Sequence, residues 1–169
     1  MESLFRYWLA WPVMERAFNA YGWLWALCET FHFFGLILLI GGVGMFDLRL
    51  LGMAKGLPVA ALRRLLPLGV FGFVFCVVTG AMFVAGVRAN VATHPYDLIM
   101  TNPYLDLKLL FIFLAGVNLL AFYLTGMSHA VDDLGPGEDA PLLAKVIAGT
   151  SLFLWLGVIY FGRAIPEGL

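Results

Sequence analysis

Charge is scarce in this chain. Of its 169 residues only 12% are Asp, Glu, Lys or Arg, and the formal net charge is −1. No broad basic surface is available, so nucleic acid is excluded as a partner. Cysteine is scarcer still: Cys28 and Cys76 both fall inside apolar runs, where a free thiol acts as a small hydrophobe, and no structural disulfide is expected. The sequence holds no Gly-rich phosphate loop, no Cys-based zinc spacing, no Ser/His/Asp set and no paired catalytic carboxylates, which removes the commonest enzyme classes. The opening residues, Met1 to Arg6, lack the basic region and small-residue cleavage site of a secretory signal, so the segment is expected to be retained.

What is abundant is apolar surface. Hydrophobic residues make up 62% of the chain and aromatics 15%, against about 45–50% apolar residues in soluble domains. A mean hydropathy of +0.92 agrees. A helix crossing about 30 Å of hydrocarbon needs roughly 20 apolar residues. Four stretches meet that need, approximately Tyr21–Met45, Leu66–Val87, Leu105–Met127 and Leu142–Gly162. The chain therefore reads as an all-α integral membrane four-helix bundle over residues 21–169, with the lipid bilayer as its first partner.

The first link follows Asp47 and Arg49 and carries Lys55, Arg63 and Arg64; the second carries Arg88, His94, Asp97 and Asn102. Basic residues in short links favour the cytoplasm, which places both termini outside, in the periplasm if the membrane is a bacterial inner membrane. The third link, Ser128 to Pro141, is acidic and rich in Gly and Pro, and predicts a solvated loop. Residues 1–20 mix Leu4, Phe5, Trp8, Leu9, Trp11 and Val13 with Glu2, Arg6, Glu15 and Arg16, the pattern of an interfacial amphipathic segment.

Ionisable groups within hydrocarbon cost at least about 2.5–3.5 kcal/mol at mid-depth, so each raises a functional question unless it can reach the interface. Glu29 and His32 lie well inside the first span, three residues apart, and neither is long enough to snorkel. Lys108 and Arg163 sit near helix ends and can. Helix phase puts Lys108, Ala115, Asn118 and Phe122 on one stripe, and counting from the outer boundary puts Asn118, Cys76, Thr79, Ser151 and Trp155 near the depth of His32. A single polar layer inside the bundle is expected.

His32 has the chemistry of an axial ligand to a b-type haem, because neutral imidazole is the usual nitrogen donor and bundle cores hold cofactors between facing helices. Glu29 would then fix the imidazole tautomer by accepting its other N–H, and Lys108, Asn118 and Arg163 would complete the cofactor seat, Arg163 on an outer-leaflet propionate. His32 is the only metal ligand so assigned: His94 and His129 fall in links, leaving one-sided ligation or a weak partner such as Met82. The bland alternative for His32 is a hydrogen-bonded packing residue. Glu29-x-x-His32 also matches half of a di-metal carboxylate motif, without the second turn and further carboxylates that motif needs. A proton relay through Glu29 and His32, and copper through Cys28, His32 and Met45, are further options. Arg49 either pairs with Asp47 to cap the span or holds a carboxylate by paired hydrogen bonds.

Four segments carry a resemblance to an uncharacterised family of bacterial four-helix membrane proteins: Trp25 to Gly35, Asp47 to Gly52 (D-L-R-L-L-G), Asn102 to Leu109 with Ala115-Gly116-Val117-Asn118, and Ser151 to Arg163. More distantly, an embedded His in the first span and a Lys opening the third resemble the group of CopD-type copper-resistance proteins and HemJ-type protoporphyrinogen oxidases. That likeness implies haem binding at His32 and a role for Lys108. Many relatives carry a His shortly after the Asn of the third span, where this chain has Tyr123.

Three functions compete on this sequence: a membrane redox protein with haem b, a structural or assembly subunit of a larger membrane complex, and a metal or small-solute transporter. Porphyrinogen oxidation is the one enzyme activity with a resemblance behind it. Gly35, Gly41, Gly42 and Gly44 permit close helix approach, either within the bundle or in a homo-oligomer.

Overall fold

The computed structural model describes residues 6, 11–89 and 94–168, the side chain of residue 88 excepted. Leu4, Phe5, Trp8 and Leu9 of the expected interfacial segment lie outside the described residues. Four helices are long and apolar enough to cross a membrane: Gly22–Leu50, Val59–Ala85, Pro103–Leu124 and Leu142–Gly168. No strand occurs among the described residues. The protein is thus an all-α, multi-pass membrane protein. Large apolar side chains such as Phe33, Ile37, Val70, Phe113, Leu120 and Leu156 stand exposed around the perimeter, a surface suited to lipid and to no aqueous environment.

The spans form two hairpins. First and second pair along their lengths, as do third and fourth, whereas close backbone approach between hairpins is concentrated at one end, where Met45–Leu50 meets the fourth span. That end, which carries the first and third links, is called inner here. In the first hairpin Cys28, Gly35, Leu39 and Gly42 form the buried seam, steps of three, four and seven that share one helical face. Glycine is required there. A Cβ at Gly35 would lie 2.8 Å from the Gly72 carbonyl, one at Gly42 2.8 Å from that of Leu65, and one at Gly72 would overlap the Gly35 carbonyl.

The first span runs five residues beyond its expected end because Ile40–Gly44 forms a π-helical turn that carries the helix through to Leu50. An extra residue in one turn re-phases the helix face. Beyond Gly44 the span accordingly turns from the second span to the fourth, and Asp47 and Arg49 are buried inside it rather than following it.

Arg49 is fully buried, and its guanidinium donates to the carbonyls of Leu57, Glu138 and Gly135. It is neither an Asp47 partner nor a carboxylate receptor but a tie between two links. The third link is correspondingly no free loop: Ser128, Val131 and Ala140 are buried, and Arg63 pairs with Asp132. A hydrophobic cluster of Phe46, Leu50, Val59, Phe122, Ala144 and Ile147 lies directly beneath.

The outer end is stitched differently. Asn102 caps the third span by accepting from the N–H groups of Tyr104 and Leu105, and its amide donates to the Ile165 carbonyl of the fourth. His94 caps the short helix Pro95–Thr101 in the same way, accepting from Tyr96 N–H. The helix Pro12–Ala20 is docked on the bundle: Phe18 is buried against Gly86 and edge-on to Trp25, and Arg6 pairs with Asp97 at 2.8 Å.

Gly72→Ala should therefore destabilise the protein by about 1–3 kcal/mol through overpacking, read as a lower thermal midpoint in detergent. Gly116→Ala, where a Cβ meets nothing within 4 Å, should cost nothing. A pH effect is expected at the links, where hydrogen bonds from Lys55 and Lys145 hold the Asp139 carboxyl below its ordinary range. A depressed carboxylate contributes stability above its unfolded-state pKa and loses it as pH falls through the folded one. Protection of the link amides against hydrogen exchange, taken relative to the intrinsic exchange rate at each pH, should fall on acidification below the ordinary carboxylate range, and Asp139→Asn should show the same loss of protection at neutral pH.

Candidate functional site

His32 projects from the first span one turn inward of the buried Cys28. Its Nδ1 lies 2.7 Å from the Thr79 hydroxyl of the second span. Thr79 is itself buried and donates back to the Phe75 carbonyl at 2.7 Å. With its one proton directed at Phe75, the hydroxyl is able to accept from His32, and in the tautomer that makes this bond Nδ1 carries the proton and Nε2 the free lone pair. The ring stands edge-on to Phe83, with centroids 5.5 Å apart.

Across the gap between hairpins, Lys108 enters from the third span. It lies along Gly162 of the fourth, where a Cβ would come 3.1 Å from the ammonium nitrogen. Its charge is within electrostatic reach of His32 and of Cys76. Lys108 has no hydrogen-bond or ion-pair partner among the described residues. An imidazole on one hairpin and an ammonium on the other are thus within electrostatic reach of each other. Deeper, Phe73 and Trp155 bridge the hairpins with ring centroids 6.0 Å apart.

The other sequence-derived candidates are not brought to this pair. Glu29 is exposed and accepts from Trp25 Nε1 at 3.1 Å, so Thr79, not Glu29, orients the imidazole. The physical reason is angular: three residues turn a helix through about 300°, which leaves Glu29 roughly 60° away from His32. Asn118 donates to the Ile147 carbonyl at 3.0 Å, near the inner end and well below His32; the expected single layer is two layers. Arg163 is exposed in the last turn of the fourth span. Lys108 and Asn118 do share a stripe with the buried Ala115 and Phe122, but lie about three turns apart along it.

Two weaker ligand candidates also diverge. Met82 lines an apolar groove of about 420 Å³ with Leu24, Cys28, Phe31, Val78 and Thr79, and His32 is not among its walls. Met45 is exposed. Among the described residues no three His, Cys, Asp or Glu side chains converge as a metal site. Thr79 is the residue sequence reasoning undervalued: its depth matched His32, yet nothing in the sequence marks which of several hydroxyls at that depth faces the ring.

Thr79→Val keeps the side-chain shape and leaves His32 Nδ1 unpaired in apolar surroundings. A loss of about 1–3 kcal/mol is expected by thermal unfolding, whereas Glu29→Gln should stay within about 0.5 kcal/mol. Comparison with protein-family models, with curated proteins and with solved structures finds no match to this chain.

Proposed function

We propose that this is a membrane redox protein that seats a b-type haem between its two hairpins, with His32 as the axial ligand. The observation that supports this is the orientation of His32: Thr79 occupies Nδ1, so Nε2 is the basic nitrogen, the one a haem iron takes. The Thr79 hydroxyl fixes ring and tautomer, as the outer partner of a ligating imidazole commonly does. Lys108 supplies a cation on the opposite wall, suited to a propionate, and Phe83 gives the ring an apolar neighbour. The donor set fits the group with one protein ligand. A second imidazole is not at hand, since His94 is a helix cap and His129 is 87% exposed on the inner link. The haem would supply one-electron chemistry. What the chain itself provides is a hydrogen-bonded imidazole and, on the opposite hairpin, a cation within its electrostatic reach.

In this reading the inner end faces the cytoplasm of a bacterium and the termini face the periplasm. Lys55, Arg63 and Arg64 of the first link support that orientation.

Purified protein expressed with an adequate haem supply should show a Soret band that is abolished in His32→Ala. Thr79→Val should lower haem affinity by roughly 10–100-fold, the usual effect of removing such an outer partner. A folded, colourless wild-type preparation would remove the haem reading and leave the alternative, a structural subunit of a larger membrane complex.

A further inference from the structure

A second polar cluster lies in the inner half of the bundle, away from His32. Asp47 is 5% exposed and Ser151 8%. The carboxyl of Asp47 stands beside the Ser151 hydroxyl of the fourth span, and its Oδ2 is fully buried with no hydrogen-bond partner among the described residues. Arg49, two residues on, does not answer it, because its guanidinium is taken by the carbonyls of Leu57, Gly135 and Glu138.

Asn118 of the third span borders the same place. Its amide nitrogen donates to the carbonyl of Ile147, one turn before Ser151, while its carbonyl oxygen takes no donor among the described residues. Phe46 and Phe122 meet at a centroid distance of 5.9 Å, which holds the first span against the third at this level. The first and fourth spans therefore bring a carboxylate and a hydroxyl together in the inner half of the bundle, with the Asn118 amide of the third bonded one turn away, and the π-helical turn Ile40–Gly44 re-phases the first span just before it.

We propose that Asp47, Ser151 and Asn118 hold a sodium ion within the inner half of the bundle. An ionised carboxylate away from water needs a compensating positive charge, and no side chain among the described residues bonds to Asp47 to supply one. The donors are all hard oxygens, which select hard cations over transition metals. One carboxylate with two neutral oxygens balances a single positive charge. Calcium takes six to eight oxygen ligands and magnesium near-ideal octahedral geometry, usually with several waters retained. π-helical turns recur at functional sites, and this one aims Asp47 at the fourth span instead of the second. The site is separate from the haem seat, and its test does not depend on it.

The experiment is thermal unfolding of the full chain in detergent, titrated with sodium, potassium or choline chloride at constant ionic strength. Sodium should raise the wild-type midpoint saturably, by about 2–4 °C for each kcal/mol of binding, with choline inert and potassium weaker. Asp47→Asn, close in shape, should lose the sodium response. Should that variant fail to fold, Ser151→Ala should shift the half-maximal sodium concentration upward several-fold. Equal midpoints in sodium and choline overturn the proposal, as does a potassium response equal to that of sodium. So does an infrared carbonyl band of a protonated carboxyl that persists in sodium and vanishes in Asp47→Asn, because the site then carries a proton.

Discussion

Arg49 brings a guanidinium into a place closed to water and directs it at three main-chain carbonyls, one from the first link and two from the third. Because those carbonyls belong to the turns of the two different hairpins, the bond set ties the hairpins together at the inner end. The hydrophobic cluster around Phe46, Val59 and Ala144 packs under that lock. With closure provided there, the outer halves of the two hairpins approach less closely, and His32 and Lys108 stand on opposite hairpins at that end. The outer end is held by smaller means: the Asn102 bridge from third to fourth span, and the Phe18 ring set against Gly86.

The helical content and the number of spans were legible in the sequence, because long apolar runs in a chain with little charge have few other solutions. The stripe of Lys108, Ala115, Asn118 and Phe122 was legible for the same reason, as helix phase is set by spacing alone. Depth was less so. Asn118 was placed level with His32 by counting residues, but the bonds of each residue put them in different halves. The end of the first span was missed because Asp47 and Arg49 look like a boundary, and nothing local announces that partners some ninety residues later bury them. The π-helical turn is a tertiary feature, and Gly35, Gly41, Gly42 and Gly44 of the first span read equally as packing within the bundle or as a homo-oligomer contact.

The two polar layers obey one rule applied twice. In hydrocarbon a polar atom left without a partner is costly, so the hydroxyl of Thr79 is aimed at His32 and the amide of Asn118 at Ile147. Among the described residues the rule is unmet at Lys108 near the outer end and at Asp47 Oδ2 near the inner one, in opposite halves of the bundle. The same two residues mark the two proposed sites.

The lock at Arg49 also bears on how the molecule is made. Its carbonyl partners Gly135 and Glu138 lie 86 and 89 positions further along, so when the first hairpin enters the bilayer this guanidinium has only the Leu57 carbonyl to hold. Until the third link arrives, it must remain in contact with headgroups or water, and the first hairpin cannot settle to its final depth. The full bond set of Arg49 therefore requires both hairpins to be in place.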